Sequence, residues 1–118
     1  MSKLKMVFMG TPDFAVPCLQ RMVADGHDVV GVITQPDRPS GRGNKLTASP
    51  VKQAAAGYGI AVLQPASIKA AASIADIAAL EPDIIVVVAF GQILPPEILN
   101  MPRLGCINVH ASLLPRYR

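Results

Sequence analysis

Asn108 and His110 are the two residues whose types and spacing best fit a chemical step. They lie two positions apart in a short segment typical of a strand, which places both side chains on one face. A neutral imidazole can take a proton from an attacking amine, and an asparagine amide can donate to the oxyanion of a tetrahedral intermediate. The pair therefore points to acyl transfer. Taken alone, a polar strand end with a hydrogen-bonded histidine explains the same spacing better.

The segment that follows His110 could form one wall of a ligand pocket. It consists of Ser112, Leu113, Leu114 and Pro115. Apolar side chains beside a candidate catalytic pair are typical of such walls, although ordinary packing of a turn also accounts for them. We expect no metal centre, because no cluster of His, Cys and Asp has the spacing of a ligand set.

The excess positive charge of the chain lies in one stretch, residues 35–52, which we call the basic segment. Its cations are Arg38, Arg42, Lys45 and Lys52. The segment contains a single acidic residue, so its net charge of +3 equals that of the whole chain. Arg42 stands between two glycines, where the backbone bends freely. Such an arm suits contact with the phosphates of RNA, and a solvated surface loop is an equally good interpretation. Residues 36–49 show neither helical nor strand periodicity and predict an irregular loop.

A second candidate ligand segment, residues 10–14, follows the first apolar run. It would lie at the carboxyl end of the first strand, where open α/β sheets bind ligands. The order Thr11, Pro12, Asp13 predicts a helix with Thr11 as its N-cap. Free N–H groups at that helix start could hold an anion. However, the G-x-G-x-x-G pattern is absent and Asp13 would repel phosphate, so a capped helix start is the favoured interpretation.

Composition narrows the class of protein. The chain has 118 residues, enough for one domain, and its 51% hydrophobic and 16% charged residues exclude a disordered chain. The longest apolar run, residues 84–90, is too short to cross a membrane. Two cysteines exclude a disulfide scaffold and favour a reducing cytoplasm. The 4% aromatic content argues against a stacking platform for single-stranded nucleic acid.

Strands alternate with helices along the sequence, which predicts an α/β fold: a Rossmann-like, open, mostly parallel sheet with flanking helices. The expected strands are residues 4–9, 29–34, 60–63, 83–90 and 106–110. The expected helices begin at Thr11, Ser49, Ser67 and Pro95. In the helix capped by Ser67, the residues expected on the buried face are Ile68, Ala71, Ala72, Ala75 and Ala79.

Taken together and in order, these segments resemble the N-terminal part of the folate-dependent formyltransferases. The matching stretches are residues 10–15, 35–43, 49–52, 89–95, 104–110 and 112–115. Asn-x-His followed by Ser-Leu-Leu-Pro is shared by the wider family, whereas the first two stretches resemble the members that act on methionyl-tRNA. The resemblance covers essentially the whole chain.

The resemblance implies transfer of a formyl group from 10-formyltetrahydrofolate to the α-amine of methionine on initiator tRNA. It implies that Asn108 holds the formyl oxygen as it becomes an oxyanion and that His110 assists proton removal from the attacking nitrogen. The implied folate site consists of Ser112, Leu113, Leu114 and Pro115 with the backbone around Phe90 and Gly91. The implied contacts of the tRNA acceptor arm are Arg42, Lys45 and Arg38.

The resemblance also implies features beyond Arg118: a catalytic aspartate a few dozen residues after the Asn-x-His strand, and a C-terminal β-barrel domain. Residues 1–118 would then be the N-terminal portion of a catalytic domain, with little or no activity alone. The intact protein would be monomeric and cytoplasmic.

Three alternatives remain open from the sequence. A related formyltransferase acting on a nucleotide or a nucleotide sugar would share Asn108 and His110 but would not need the basic segment. A non-catalytic module could bind RNA or folate without turnover. A dinucleotide-binding half-domain is disfavoured, because the glycine fingerprint is absent and no acidic residue stands at the end of the second strand.

Overall fold

The apolar runs of the sequence become the strands of a parallel sheet in the computed structural model, which describes residues 3–40, 43 and 45–109. The strands are β1 (Lys5–Gly10), β2 (Asp28–Ile33), β3 (Arg38–Ser40), β4 (Lys45–Thr47), β5 (Val62–Leu63), β6 (Ile84–Val88) and β7 (Cys106–Asn108). The helices are α1 (Val16–Ala24), α2 (Pro50–Gly57), α3 (Ala71–Ala78) and α4 (Pro96–Leu99), and a 3-10 turn (Asp13–Ala15) precedes α1.

Five strands form the main sheet in the order β5-β2-β1-β6-β7, and each neighbouring pair in it is parallel. The expected α/β fold is therefore confirmed. From β1 the chain builds outward through β2 and β5, then crosses to the other side of β1 to add β6 and β7. The strand order reverses between β1 and β6, so their carboxyl ends flank the crevice in which open α/β sheets bind ligands.

Alternation along the central strands sends side chains into two apolar layers, one on each face of the sheet. One layer contains Val7, Met9, Ile33, Ile85 and Val87 with Ile68, Ile77, Phe90 and Ile98. The other contains Phe8, Val32, Val86 and Val88 with Ala15, Leu19, Met22, Val51 and Ala55. Consequently α3 and α4 cover the first face, and α1 and α2 cover the second. Both layers keep the strands fixed relative to one another, which fixes the positions of their ends.

Two of the expected helix caps are wrong. The first helical turn begins after Pro12 with no side-chain cap, because the Thr11 hydroxyl is hydrogen-bonded elsewhere. Helix α3 begins at Ala71, and Ser67 precedes it in a turn that is closed by a 2.8 Å hydrogen bond from the Ser73 hydroxyl to the Ser67 carbonyl. The third cap is confirmed, since Ser49 Oγ accepts from the Lys52 backbone N–H at 3.0 Å.

The buried face of α3 also differs from the expected one. Ile77 is buried and Ile74 packs beside it, and Ile68 is buried as expected although it lies before the helix. The alanines that were expected to face the core are exposed: Ala71, Ala72, Ala75 and Ala79. Burying an isoleucine removes more apolar surface from water than burying an alanine, so the isoleucines set the rotation of the helix.

The irregular loop expected over residues 36–49 is also wrong. Strands β3 and β4 pair antiparallel and form a small ribbon that is separate from the main sheet. Each strand has three residues, and Pro39 occupies the centre of one of them opposite Leu46. Strands this short cannot show the alternation by which a strand is recognised in a sequence.

One carboxylate ties together the amino ends of the strands. Asp83 Oδ2 accepts from the Lys5 backbone N–H at 2.8 Å, and its Oδ1 accepts from Arg103 Nε at 3.0 Å. The Asp83 backbone also exchanges hydrogen bonds with Lys5 and Leu104. The Lys5 N–H, followed by the Arg103 guanidinium, lowers the pKa of the Asp83 carboxyl below its ordinary value.

We expect Asp83 to make folding sensitive to acid. Because its pKa is lower in the folded chain than in the unfolded one, its contribution is complete above the unfolded value and is lost as the pH falls through the folded value. Urea denaturation at pH steps between about 5 and 2 should show a shallower loss of stability in Asp83→Asn than in the wild type. Asp76→Asn, on the exposed side of α3, is the matched control. Equal slopes for Asp83→Asn and the wild type would contradict the assignment.

Candidate functional site

The Thr11 hydroxyl joins the carboxyl ends of three strands. It donates to the Phe90 carbonyl at 2.7 Å and accepts from the Gln35 backbone N–H at 3.3 Å. Thr11 follows β1, Gln35 lies two residues after β2 and Phe90 lies two residues after β6. A single side chain therefore sets the spacing of the strand ends on both sides of the crevice.

The segment after β6 has a special backbone. Ala89 has a φ of 51° and Gly91 a φ of 103°, so two residues around Phe90 adopt conformations that L side chains rarely take. The Phe90 side chain is buried in the core, so at Phe90 only backbone groups remain for contact with a ligand. The expected part of Phe90 and Gly91 in a folate site stays a prediction.

Three glutamines reinforce the same edge of the sheet. Gln92 Nε2 donates to Gln35 Oε1 at 2.7 Å and to the Pro65 carbonyl at 3.2 Å, and Gln92 Oε1 accepts from the Ile68 N–H at 2.8 Å. Gln64 Nε2 donates to the Gln35 carbonyl at 3.2 Å. These contacts connect the ends of β2, β5 and β6, so the edge is a hydrogen-bonded frame rather than a set of loose loops.

The ribbon formed by β3 and β4 is anchored to this frame at its base. Asp37 accepts from Gln64 Nε2 at 2.7 Å and forms an ion pair with Lys52 Nζ at 3.2 Å. The Thr34 and Ser49 hydroxyls lie 2.7 Å apart on the other connection. The Gln64 amide, followed by the Lys52 ammonium, lowers the pKa of the Asp37 carboxyl. The carboxylate therefore stays ionised and keeps the ribbon in place.

The register of the ribbon places two of the predicted RNA-binding cations on one face. Arg38 pairs with Thr47, and Lys45, two residues before Thr47, pairs with Ser40, so Arg38 and Lys45 share a side. Both are exposed. Lys52 is instead neutralised by Asp37, which explains why it cannot serve as a free cation. Arg42 lies outside the described residues.

A cleft separates the ribbon from the sheet edge. Its volume is about 210 Å³, and it is lined by Thr11, Pro36, Arg38, Thr47, Ala48, Ser49 and Pro50. Arg38 therefore lies on the wall that faces Thr11, close to the start of the crevice.

Asn108 ends β7 on the other side of the crevice. It aligns with Val87 of β6, and the next residue, Val109, donates to the Val87 carbonyl at 2.8 Å. Asn108 shares the face of Val87 and is exposed. The other predicted residues of this part of the site lie outside the described residues: His110, Ser112, Leu113, Leu114 and Pro115.

The described residues hold no group of three or more metal-ligating side chains. Cys18 and Cys106 are free thiols, and burial raises the pKa of both. Among the helices of the described residues, none is long and apolar enough to cross a membrane.

Sequence reasoning missed the polar frame of Thr11, Thr34, Gln35, Gln64 and Gln92. One signal was available, since most of these residues directly follow an apolar run and the carboxyl ends of parallel strands meet at one edge. Their mutual pairing could not be read, because it depends on contacts between residues as far apart as 57 positions.

Comparison with known proteins agrees with this geometry. A family model described as formyl transferase matches residues 4–118. Proteins described as methionyl-tRNA formyltransferase are similar along the chain: that of Geobacter metallireducens is 60% identical over 118 residues and that of Clostridioides difficile 59% over 115. The chain spans 38% and 37% of these relatives' lengths.

Among solved structures, glycinamide ribonucleotide transformylase 1 from Geobacillus kaustophilus has the same fold. Its TM-score is 0.66 at 16% identity, over 99% of this chain and 63% of that chain. At this level of identity the likeness concerns the fold alone.

We expect Thr11→Val to destabilise the chain, because valine has the shape of threonine but leaves the Phe90 carbonyl and the Gln35 N–H without their partner. The loss should be about 1–3 kcal/mol in the free energy of unfolding, measured by urea denaturation. Thr11→Ser keeps the hydroxyl and should retain most of the stability. If the serine and valine variants were equally destabilised, the methyl group rather than the hydrogen bonds would be responsible.

Proposed function

Since the chain belongs to the formyl transferase family, we propose that it transfers the formyl group of 10-formyltetrahydrofolate to the α-amine of methionine on initiator tRNA, a step of translation initiation. The observation that carries the proposal is the 60% identity along all 118 residues to a protein described as methionyl-tRNA formyltransferase. The exposed amide of Asn108 beside the crevice and the cationic ribbon across it support the same assignment.

In the proposed reaction the methionyl nitrogen attacks the formyl carbon and a carbon–nitrogen bond forms. The formyl oxygen becomes an oxyanion, to which the Asn108 amide donates. His110 takes a proton from the attacking nitrogen and returns it to the folate nitrogen as the old carbon–nitrogen bond breaks. The products are the formylated amine and tetrahydrofolate, and no redox partner is needed.

The proposed folate site combines the backbone of Phe90 and Gly91 with the segment after His110. Its side-chain members are Ser112, Leu113, Leu114 and Pro115. Thr11 stabilises the position of this backbone, because its hydroxyl donates to the Phe90 carbonyl at 2.7 Å. A flat ring system would find backbone polar groups on one side and apolar side chains on the other, a combination typical of cofactor pockets.

The proposed tRNA contact is the ribbon, through Arg38, Arg42 and Lys45. The contacts of Asp37 with Lys52 and Gln64 hold the base of the ribbon against the sheet edge. The sugar–phosphate chain would then pass along the cleft lined by Arg38 toward Thr11. We further propose that residues 1–118 form the N-terminal portion of a longer catalytic domain, in a cytoplasmic protein that is monomeric when intact.

The proposed function is tested with a hybrid in which this chain replaces the matching 38% of the Geobacter metallireducens relative. Given radiolabelled 10-formyltetrahydrofolate, the hybrid should formylate methionyl-tRNA and should leave glycinamide ribonucleotide unmodified. The 118-residue chain alone should give little or no product, because an acid–base unit that lacks one member loses most of its rate. Formylation of the ribonucleotide, or no product from either acceptor, would contradict the proposal.

Replacing Asn108 should affect the chemical step. In the hybrid, Asn108→Ala should lower kcat by about 100- to 1,000-fold, the usual cost of one lost oxyanion donor. The KM for methionyl-tRNA should change little, because the developing negative charge exists only in the transition state. Asn100→Ala, at the end of α4, is the control. A loss in KM with unchanged kcat would show that Asn108 binds substrate instead.

Removing the ribbon cations should weaken tRNA binding without changing the binding of 10-formyltetrahydrofolate. Arg38→Ala and Lys45→Ala should each lower the slope of log affinity against log salt by about one. Lys3→Ala, just before β1 at the opposite edge of the sheet, is the control for loss of one exposed cation. Filter binding at several salt concentrations measures the slope, and slopes identical to the control would remove the ribbon from the interface.

A further inference from the structure

Gln35 carries an amide donor that the described part of the chain leaves unused. The residue is only 8% exposed, and its Oε1 accepts from Gln92 at 2.7 Å. Its backbone N–H and carbonyl are both hydrogen-bonded within the frame. Its Nε2 has no acceptor among the described residues. A glutamine held at three points therefore presents its remaining donor at a fixed position.

The orientation of the Gln35 amide follows from a backbone group. Ile68 N–H can only donate, so the oxygen of Gln92 must face Ile68, at 2.8 Å. The Gln92 nitrogen must then face Gln35, whose oxygen is the only end that can accept from it. The Gln35 nitrogen consequently points away from Gln92. The hydrogen bonds from Ile68 to Gln92 and from Gln92 to Gln35 therefore fix the orientation of the Gln35 carboxamide, with Oε1 toward Gln92 and Nε2 away from it.

The free nitrogen lies against Gly91. A methyl group built on that glycine would be 2.6 Å from Gln35 Nε2, so the amide occupies the space that a side chain would otherwise fill. Within the described residues, every fully enclosed side-chain nitrogen or oxygen has a partner. The Gln35 nitrogen is therefore not sealed in the core. It reaches the exposed surface of Gly91 at the crevice between β1 and β6.

We infer that Gln35 is a ligand-binding residue, whose Nε2 donates a hydrogen bond to a carbonyl oxygen or ring nitrogen of the reduced pterin in the formyl donor. The inference rests on the proposed function, in which Phe90 and Gly91 form the folate wall. The donor is favoured over the tRNA as the partner, because the cleft lined by Arg38 does not include Gly91.

The first test uses the unmodified protein. Titration of the ¹⁵N-labelled chain with tetrahydrofolate should shift the side-chain amide resonances of Gln35, in parallel with the backbone resonance of Gly91. The side-chain amide of Gln53, an exposed residue of α2 that donates to the Ala48 carbonyl, should not move. A shift of Gly91 without any shift of the Gln35 amide would overturn the inference. This measurement does not depend on whether a variant folds.

The second test uses substitutions in the hybrid enzyme. Gln35→Glu keeps an oxygen toward Gln92 but replaces the free donor by an acceptor, and it should raise the KM for 10-formyltetrahydrofolate by about tenfold. Gln92→Met releases the orientation of Gln35 while leaving the donor in place, and its effect should be smaller. The control Gln53→Met should behave as the wild type. The KM for methionyl-tRNA should stay unchanged throughout.

The experiments distinguish an error in the proposed function from an error in the role of Gln35. If the hybrid formylates neither acceptor and the chain binds no tetrahydrofolate, the proposed function is wrong. The role of Gln35 in binding the donor is then wrong as well. If the hybrid formylates methionyl-tRNA and Gln35→Glu retains the wild-type KM for the donor, only the role of Gln35 is wrong. A rise confined to the KM for methionyl-tRNA would also overturn the role of Gln35. The hydrogen bond from Gln35 would then be made to the tRNA and not to the formyl donor.

Discussion

The carboxyl edge of the sheet is held by hydrogen bonds between neutral groups, and the Thr11 hydroxyl is the one on which the others depend. It contacts groups that follow β2 and β6, and it lies at the end of β1, so it fixes all three strand ends at once. The Phe90 turn and Gln35 owe their positions to it. In the proposed mechanism Asn108 would act beside strand ends that are already fixed, which is the pre-organisation that an oxyanion donor requires.

The strand ends at the two edges of the sheet are held together by different kinds of contact. At the amino end, one carboxylate, Asp83, collects the Lys5 N–H and the Arg103 guanidinium. At the carboxyl end, hydroxyls and carboxamides dominate, and the ion pair of Asp37 with Lys52 lies at the base of the ribbon. The described side chains of the carboxyl-end frame are uncharged, whereas Asp83, whose pKa is lowered, changes charge only in acid.

Much of the fold could be predicted because apolar runs and strand–helix alternation are local signals. The strands of the main sheet lie within a residue or two of their expected positions, and Ser49 caps α2 as expected. The errors arose where tertiary contacts compete for a side chain: Thr11 serves the frame instead of a cap, and the isoleucines of α3 displace the alanines from the core. At the site, Asn108 lies at the expected strand end, and the Gln35 and Gln92 pairing could not be foreseen from residues 57 positions apart.

The ribbon is paired only with itself and is joined to the sheet through short connections on either side. Its strands bury no residue of the apolar layers, so the stability of the core does not depend on its sequence. Length and charge can therefore change in this segment by insertion or deletion while the sheet is conserved in shape, as is common for surface connections. The exposed cations of the ribbon and the hydrogen-bonded strand ends are thus separate parts of the chain, so the charge of the one can change over evolutionary time while the geometry of the other is kept.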